Sequence, residues 1–267
     1  MYRSHRSRRR VLRRLAGLTL FACLAAGGIS YALSRGGAVP SASAASTFPA
    51  ARSGSSLSAA DARAMLADPR MVLVNHTHKM PEDLTFTTKE CGSATAINKT
   101  LRTEAADAFL AMQKAAAAEG VTVWMQSGYR SVEYQTILYN NKVKHFCSKG
   151  LSEAEAKQKA AAIVNPPGYS EHNCGLAADL NSPEHTALDE GFEDTAAFRW
   201  LCAHAEEYGF ILRYPRDAEA VTEITYEPWH WRYVGRENAV LLNRSGLCLE
   251  DAIALLQRIA AGEKING

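Results

Sequence analysis

Ser170-Glu171-His172-Asn173-Cys174-Gly175-Leu176-Ala177-Ala178-Asp179 and, further along the chain, Glu227-Pro228-Trp229-His230-Trp231-Arg232-Tyr233-Val234-Gly235 are the two stretches on which the reading of this sequence turns. A hydrolytic metal site needs three nitrogen or oxygen donors that leave a fourth position open to water. It also needs a nearby carboxylate to take the proton from that water. His172, Asp179 and His230 are the candidate ligands. Glu227, three residues before His230, is the candidate general base, able to reach the water without being a ligand if the chain enters a strand through a turn at Pro228. Gly175, Ala177 and Ala178 let backbone pack closely between the first two ligands, and Trp229 and Trp231 are expected to flank His230 and exclude water. Each signal is weak alone: a lone histidine is more often a satisfied structural residue, and Glu-x-x-His arises by chance. The combination is what points to a site.

Working outward, the chain becomes globular from about residue 58. Ser58 is placed to cap a short helix reaching Leu66, and Arg102 to Glu119 reads as a helix stopped at Gly120. Val121 to Gln126 is a β-branched, apolar strand candidate. Ser152-Glu153-Ala154-Glu155 is a capping box opening another helix. Thr195 to Tyr208 reads as a helix ended by Gly209, followed by a strand near Phe210 to Arg213. Trp229 to Val234 is a further strand, and Leu249 to Ala261 an amphipathic closing helix. Helices and strands alternate without a βαβ rhythm, so the expected class is α+β rather than a doubly wound sheet.

Ser-x-His-x-x-Gly-x-Ala-x-Asp followed by Glu-x-Trp-His-x-Arg resembles the D-alanyl-D-alanine carboxypeptidases of the vancomycin-resistance type, a group that includes L,D- and D,D-carboxypeptidases of peptidoglycan maturation. Every motif position is filled. Ser127-Gly128-Tyr129-Arg130-Ser131 with Gln135 looks like that family's substrate-anchoring segment, Leu73-Val74-Asn75 like its N-terminal entry, and Gly209 to Pro215 like the segment before the second ligand group. The resemblance covers about residues 70–255. It implies the small α+β zinc peptidase fold shared with hedgehog signalling domains, one zinc ion on His172, Asp179 and His230, and Glu227 as general base. The substrate implied is a peptidoglycan stem peptide or its precursor, losing its C-terminal D-alanine. A free terminal carboxylate suits the planar fork of Arg130, with Gln135, one turn into the next helix, and Ser170 as further donors. Residues 142–165 are expected to form one wall of the pocket.

The ends of the chain and its composition set the context. The 267 residues carry a formal net charge of +2. Residues 1–14 are basic and free of acid, and beyond them 23 basic residues face 28 acidic ones. Nothing there suggests the clustered basic face that nucleic acid requires. Residues 15–33 carry no charge and are long enough to cross a bilayer as a helix. The basic flank would remain inside, placing the rest outside the cell membrane. A cleaved secretory signal is the alternative. Residues 34–57 read as a flexible linker, and residues 58–267 as the peptidase domain of a monomer. Five cysteines follow the apolar run, an odd number, with Cys202 and Cys248 the guessed disulfide. His76-x-His78 is a weaker metal candidate.

Two classes of function remain open. On the same core, an L,D-carboxypeptidase, D,D-dipeptidase or endopeptidase would use the same residues. A non-catalytic wall-binding module stabilised by zinc would not need Glu227.

Overall fold

The structure, a computed structural model, describes residues 57–263. The basic segment and apolar run expected in residues 1–33, and the linker expected in residues 34–57 apart from its last residue, lie outside the described residues; Leu57 packs against the second hydrophobic cluster. Among the described residues no helix is long and apolar enough to cross a membrane.

A four-stranded antiparallel sheet organises the chain. Its strands are β3 (Trp124–Ser127), β4 (Ala177–Asn181), β6 (His230–Tyr233) and β5 (Phe210–Leu212), in that spatial order. A small hairpin-like sheet of β1 (Thr88–Glu90) and β2 (Thr100–Arg102) precedes it. The helices are α1 (Ala59–Leu66), α2 (Thr103–Ala118), α3 (Val132–Ser148), α4 (Glu153–Ala161), α5 (Ala196–His204), α6 (Glu219–Thr222), α7 (Arg236–Ser245) and α8 (Leu249–Ala260). The expected α+β class is the one observed.

Local chemistry explains most of these boundaries. Ser58 and Ser152 both close capping boxes, with Asp61 and Glu155 returning the bond to the cap backbone. Such caps satisfy amides that would otherwise lack partners. Gly120 and Gly209 stop helical segments with φ of +78° and +84°. The helix expected to run to Tyr208 is α-helical only to His204 and tightens into a 3-10 turn over Ala205–Tyr208.

Strand alternation divides the sheet into two faces. Ala178, Leu180, Phe210, Trp231 and Tyr233 belong to the main core with Phe109 and Met112 of α2 and Phe198 and Leu201 of α5. Ile211 and Val234 join a second cluster built by α1, α7 and α8. Asp179, His230 and Arg232 carry the polar chemistry. Trp231 therefore does not flank His230 as expected. The period of two turns it to the opposite face, where it packs against Phe198. The guessed Cys202–Cys248 disulfide is also absent: all five described cysteines are free, Cys202 exposed on α5 and Cys248 buried at the start of α8.

Candidate metal and peptidase site

Three chain segments bring the site together. Asp179 of β4 and His230 of β6 are direct cross-strand partners, and Ser127 at the end of β3 lies on the other side of Asp179. His172 comes from the 3-10 turn Glu171–Cys174, which Gly175 terminates at φ +70°. A Cβ on Gly175 would lie 3.0 Å from the Arg102 amide nitrogen, so the close backbone approach inferred at this residue is real. One donor atom from each of His172, Asp179 and His230 lies within 4.8 Å of the others, and all three residues are buried.

Hydrogen bonds settle which atoms face inward. His172 Nδ1 is 2.7 Å from the Gly128 carbonyl. A carbonyl only accepts, so Nδ1 carries the hydrogen and Nε2 keeps its lone pair. That Nε2 is 3.3 Å from Asp179 Oδ1. His230 turns Nδ1 toward Asp179 Oδ1 at 3.3 Å, while its Nε2 faces Glu171 Oε2 at 3.4 Å. Asp179 gives its second oxygen to Arg130 Nη2 at 2.5 Å. Two imidazole nitrogens and one carboxylate oxygen thus converge, a donor set suited to zinc with a position left for water.

Glu227 reaches the site as expected. Its carbonyl accepts from the His230 amide at 3.1 Å, forming the turn through Pro228. Its Oε2 lies 3.6 Å from His230 Nδ1. Burial, with Asp179 and Glu171 nearby, pushes its carboxyl up to about 8 against the pull of His230 and Arg130. For His230, burial disfavours the charged ring, but Asp179 and Glu171 outweigh it and raise the group to about 9. His172 moves the other way, because burial and the Arg130 charge lower it. Burial opposes ionisation of Asp179, yet His172 and Arg130 prevail and hold it well below the ordinary carboxylate range.

These groups line a cavity of about 310 Å³. Arg130, Gln135 and Ser170 all border it, so each expected anchoring residue is at the site. Arg130 donates from Nε to Ser127 Oγ at 3.1 Å as well as from Nη2 to Asp179. Gln135 is buried on α3 and donates from Nε2 to the Asn165 carbonyl at 2.7 Å. The Ser170 side chain makes no capping bond although it precedes the turn. Lys142, Ile163, Val164 and Asn165 supply one wall, as expected of that stretch, and Tyr214, Leu188, Ile224 and Trp229 supply the other. His76 and His78 are not at this site. His76 Nδ1 pairs with Glu223 at 2.9 Å and its Nε2 meets the Ala161 carbonyl, so it ties loops together.

Beneath the candidate ligands lies a group that the motif reading passed over. Glu171 is completely buried and accepts through Oε1 from Arg213 Nε and Arg232 Nη1, each at 2.7 Å. Burial alone would raise its pKa, but the two arginines and His230 hold it below the usual range. A signal for this cluster was present in the sequence. Arg213 follows Phe210-Ile211-Leu212, and Arg232 sits between Trp231 and Tyr233. A charge inside an apolar strand demands a buried partner.

The chain is similar to known D-alanyl-D-alanine carboxypeptidases. The family profile described as "VanY: D-alanyl-D-alanine carboxypeptidase" matches residues 98–236. A D-alanyl-D-alanine carboxypeptidase of Enterococcus faecalis is 36% identical over 183 residues, which cover 68% of this chain and 64% of that protein. Among solved structures, a variant of the vancomycin-resistance D,D-pentapeptidase VanY in complex with Zn(II) superposes with a TM-score of 0.60 at 33% identity, covering 69% of this chain and 98% of that one. The LdcB LD-carboxypeptidase superposes with a TM-score of 0.58 at 33% identity, covering 73% of this chain and 87% of that one.

Proposed function

The chain belongs to the VanY family of D-alanyl-D-alanine carboxypeptidases, and from that premise we propose that it is a zinc-dependent enzyme removing the C-terminal D-alanine from peptidoglycan stem peptides. The observation that carries the reading is the convergence of His172, Asp179 and His230 with Glu227 Oε2 beside them, inside a cavity bordered by Arg130. Zinc supplies, when bound, a Lewis acid that makes water a nucleophile at neutral pH and polarises the scissile carbonyl. His172 offers Nε2 and His230 offers Nδ1, each fixed by the bond its other nitrogen makes.

Glu227 is the general base. It takes the proton of the attacking water and returns it to the amine of the departing D-alanine. A cation on the neighbouring donors stabilises its ionised form and so opposes the effect of burial. Arg130 presents the fork that holds the terminal carboxylate, with Ser170 and the second hydrogen of Gln135 Nε2 as further donors. The same fork now holds Asp179, so carboxylate binding draws on a contact that also restrains a ligand. The apolar wall of Leu188, Ile224 and Trp229 accommodates the methyl groups of the D-alanine residues.

We propose that this activity lies on the outer face of the cell membrane; the basic residues 1–14 and the uncharged run 15–33 after them support that reading.

The deciding experiment incubates the purified full chain with zinc and, separately, muramyl pentapeptide and tetrapeptide, following products by mass with a chelator control. Loss of a single D-alanine from the pentapeptide, abolished by chelator, is expected. Cleavage of the tetrapeptide alone would make it an L,D-carboxypeptidase on the same residues. Cleavage of neither, with zinc bound, would leave an endopeptidase or a wall-binding module.

A further inference from the structure

We propose that Glu171 is a positioning residue for the metal site: it fixes the His230 ring so that Nδ1 faces the other donors, and a buried frame of Arg213, Arg232 and Glu250 fixes Glu171. The proposal rests on the zinc reading of His172, Asp179 and His230.

An imidazole has two nitrogens that can bind a metal, and the one that does so is set by the hydrogen bond the other makes. For His172 that partner is the Gly128 carbonyl. For His230 it is Glu171 Oε2, 3.4 Å from Nε2. No other acceptor is recorded for that nitrogen among the described residues. Without Glu171, the ring could turn over and present Nε2 to the metal.

A carboxylate so near the donors is itself a competent ligand. Its other oxygen prevents that role, because Oε1 is held by two guanidinium groups at 2.7 Å. Each guanidinium is anchored in turn. Arg213 meets both oxygens of Glu250, at 2.9 Å and 2.5 Å, from the first turn of α8. Arg232 donates from Nη2 to the carbonyls of Arg70 and Val72, and from Nε to that of Tyr233. The side chains of Glu171, Arg213 and Arg232 have no exposed surface, and that of Glu250 is 13% exposed.

Two arginines and two glutamates balance, so the frame adds no net charge to the site above it. Buried ion pairs seldom stabilise a fold better than apolar residues of similar volume. Stability is therefore a poor reason for burying four charges here. Orientation of a ligand is a better one, since the frame ends on the single metal-facing ring that lacks a backbone partner.

The test measures zinc affinity of the full chain by competition with a chromophoric chelator, together with the visible spectrum of the cobalt(II)-substituted protein. Wild type, Glu171→Gln and His230→Ala are compared. Glu171→Gln is expected to bind zinc about 10–100-fold more weakly, to change the cobalt spectrum, and to lower kcat more than it raises KM. A folded Glu171→Gln with wild-type zinc affinity and an unaltered cobalt spectrum overturns the proposal. Should that variant not fold, Glu250→Gln loosens Arg213 from its outer side. A weakening of zinc binding in the same direction then supports the proposal, and unchanged affinity and spectrum overturn it. If wild type binds no zinc, or His230→Ala binds it as well as wild type does, the metal reading itself fails and the proposal falls with it.

Discussion

Glu227 is 7% exposed, and its Oε2 lies 3.6 Å from His230 Nδ1 without being one of the three converging donors. Its replacement should therefore separate chemistry from metal binding. Glu227→Gln is expected to lower kcat by about 10²–10⁴-fold, the usual contribution of a positioned base, while the zinc content measured by atomic absorption stays at wild type. Retained turnover would remove Glu227 from the mechanism. The pH response follows from the same residues. His230 is raised from an ordinary 6.5 to about 9, and Glu227 from 4.5 to about 8. Both shifts are upward, so each group contributes stability at low pH that is lost as pH rises through its folded value. The metal-free protein should thus lose thermal stability between about pH 4.5 and 9, the Glu227 share between its ordinary 4.5 and about 8 and the His230 share between 6.5 and about 9. Zinc replaces the His230 proton and offsets the Glu227 charge, so the rise in Tm on adding zinc should be larger at pH 9 than at pH 6.5. Equal rises would contradict the assignment of His230 as a ligand.

Among the elements, the turn after β3 bears the closest tolerance. A Cβ on Gly128 would sit 2.2 Å from the Thr100 carbonyl oxygen, which the neighbouring Tyr129 amide also uses at 2.7 Å. Backbone cannot yield there as a side chain would. Since the Gly128 carbonyl also fixes His172, Gly128→Ala should destabilise the fold by about 1–3 kcal/mol and weaken zinc binding together. Urea unfolding and chelator competition measure the two effects, and loss of one without the other would break the link. Local signals revealed the helices with caps, such as α1 and α4, because a serine and an acid three residues on satisfy orphan amides wherever they occur. They did not reveal β4. Ala177-Ala178-Asp179-Leu180-Asn181 has little intrinsic strand preference, and it is a strand because β3 and β6 pair with it on both edges. The Arg236–Ser245 helix lacks such a signal: no side chain caps its start, and only Asn238, Ala239 and Leu242 of its residues are buried.

Across the whole molecule, segments from both ends of the described residues converge on the candidate metal site. Arg70 and Val72, near the start of the described residues, accept from Arg232, and Glu250 in the closing helix grips Arg213. α8 also buries Leu249, Ala252, Ile253, Leu255 and Leu256 in the second cluster. A chain ending before Leu249 should consequently lose both that cluster and the balance of the arginine pair. Its expected fate is insolubility or a molten state without zinc binding, read by circular dichroism and chelator competition. A truncated chain that folds and binds zinc normally would show the frame to be dispensable. Phe109→Ala offers the contrast: it lies in the main core away from the donors and should cost about 3–5 kcal/mol in urea unfolding without changing zinc stoichiometry.

What the sequence by itself determined was which residues gather at the candidate site. Two histidines, an aspartate and a glutamate at fixed spacing, with Arg130, Gln135 and Ser170, are chemical types that few other roles explain together, and all seven border one cavity. Tertiary structure alone decided which atoms face inward and what holds them. That Nε2 of His172 but Nδ1 of His230 points to the donors depends on Gly128 and Glu171, and these partners are set by strand register and by the approach of segments distant in the chain. It likewise decided that Trp231 turns to the core and that Glu171 balances two arginines. Spacing along a chain specifies which residues are available, whereas orientation in three dimensions depends on contacts among elements that no local pattern encodes.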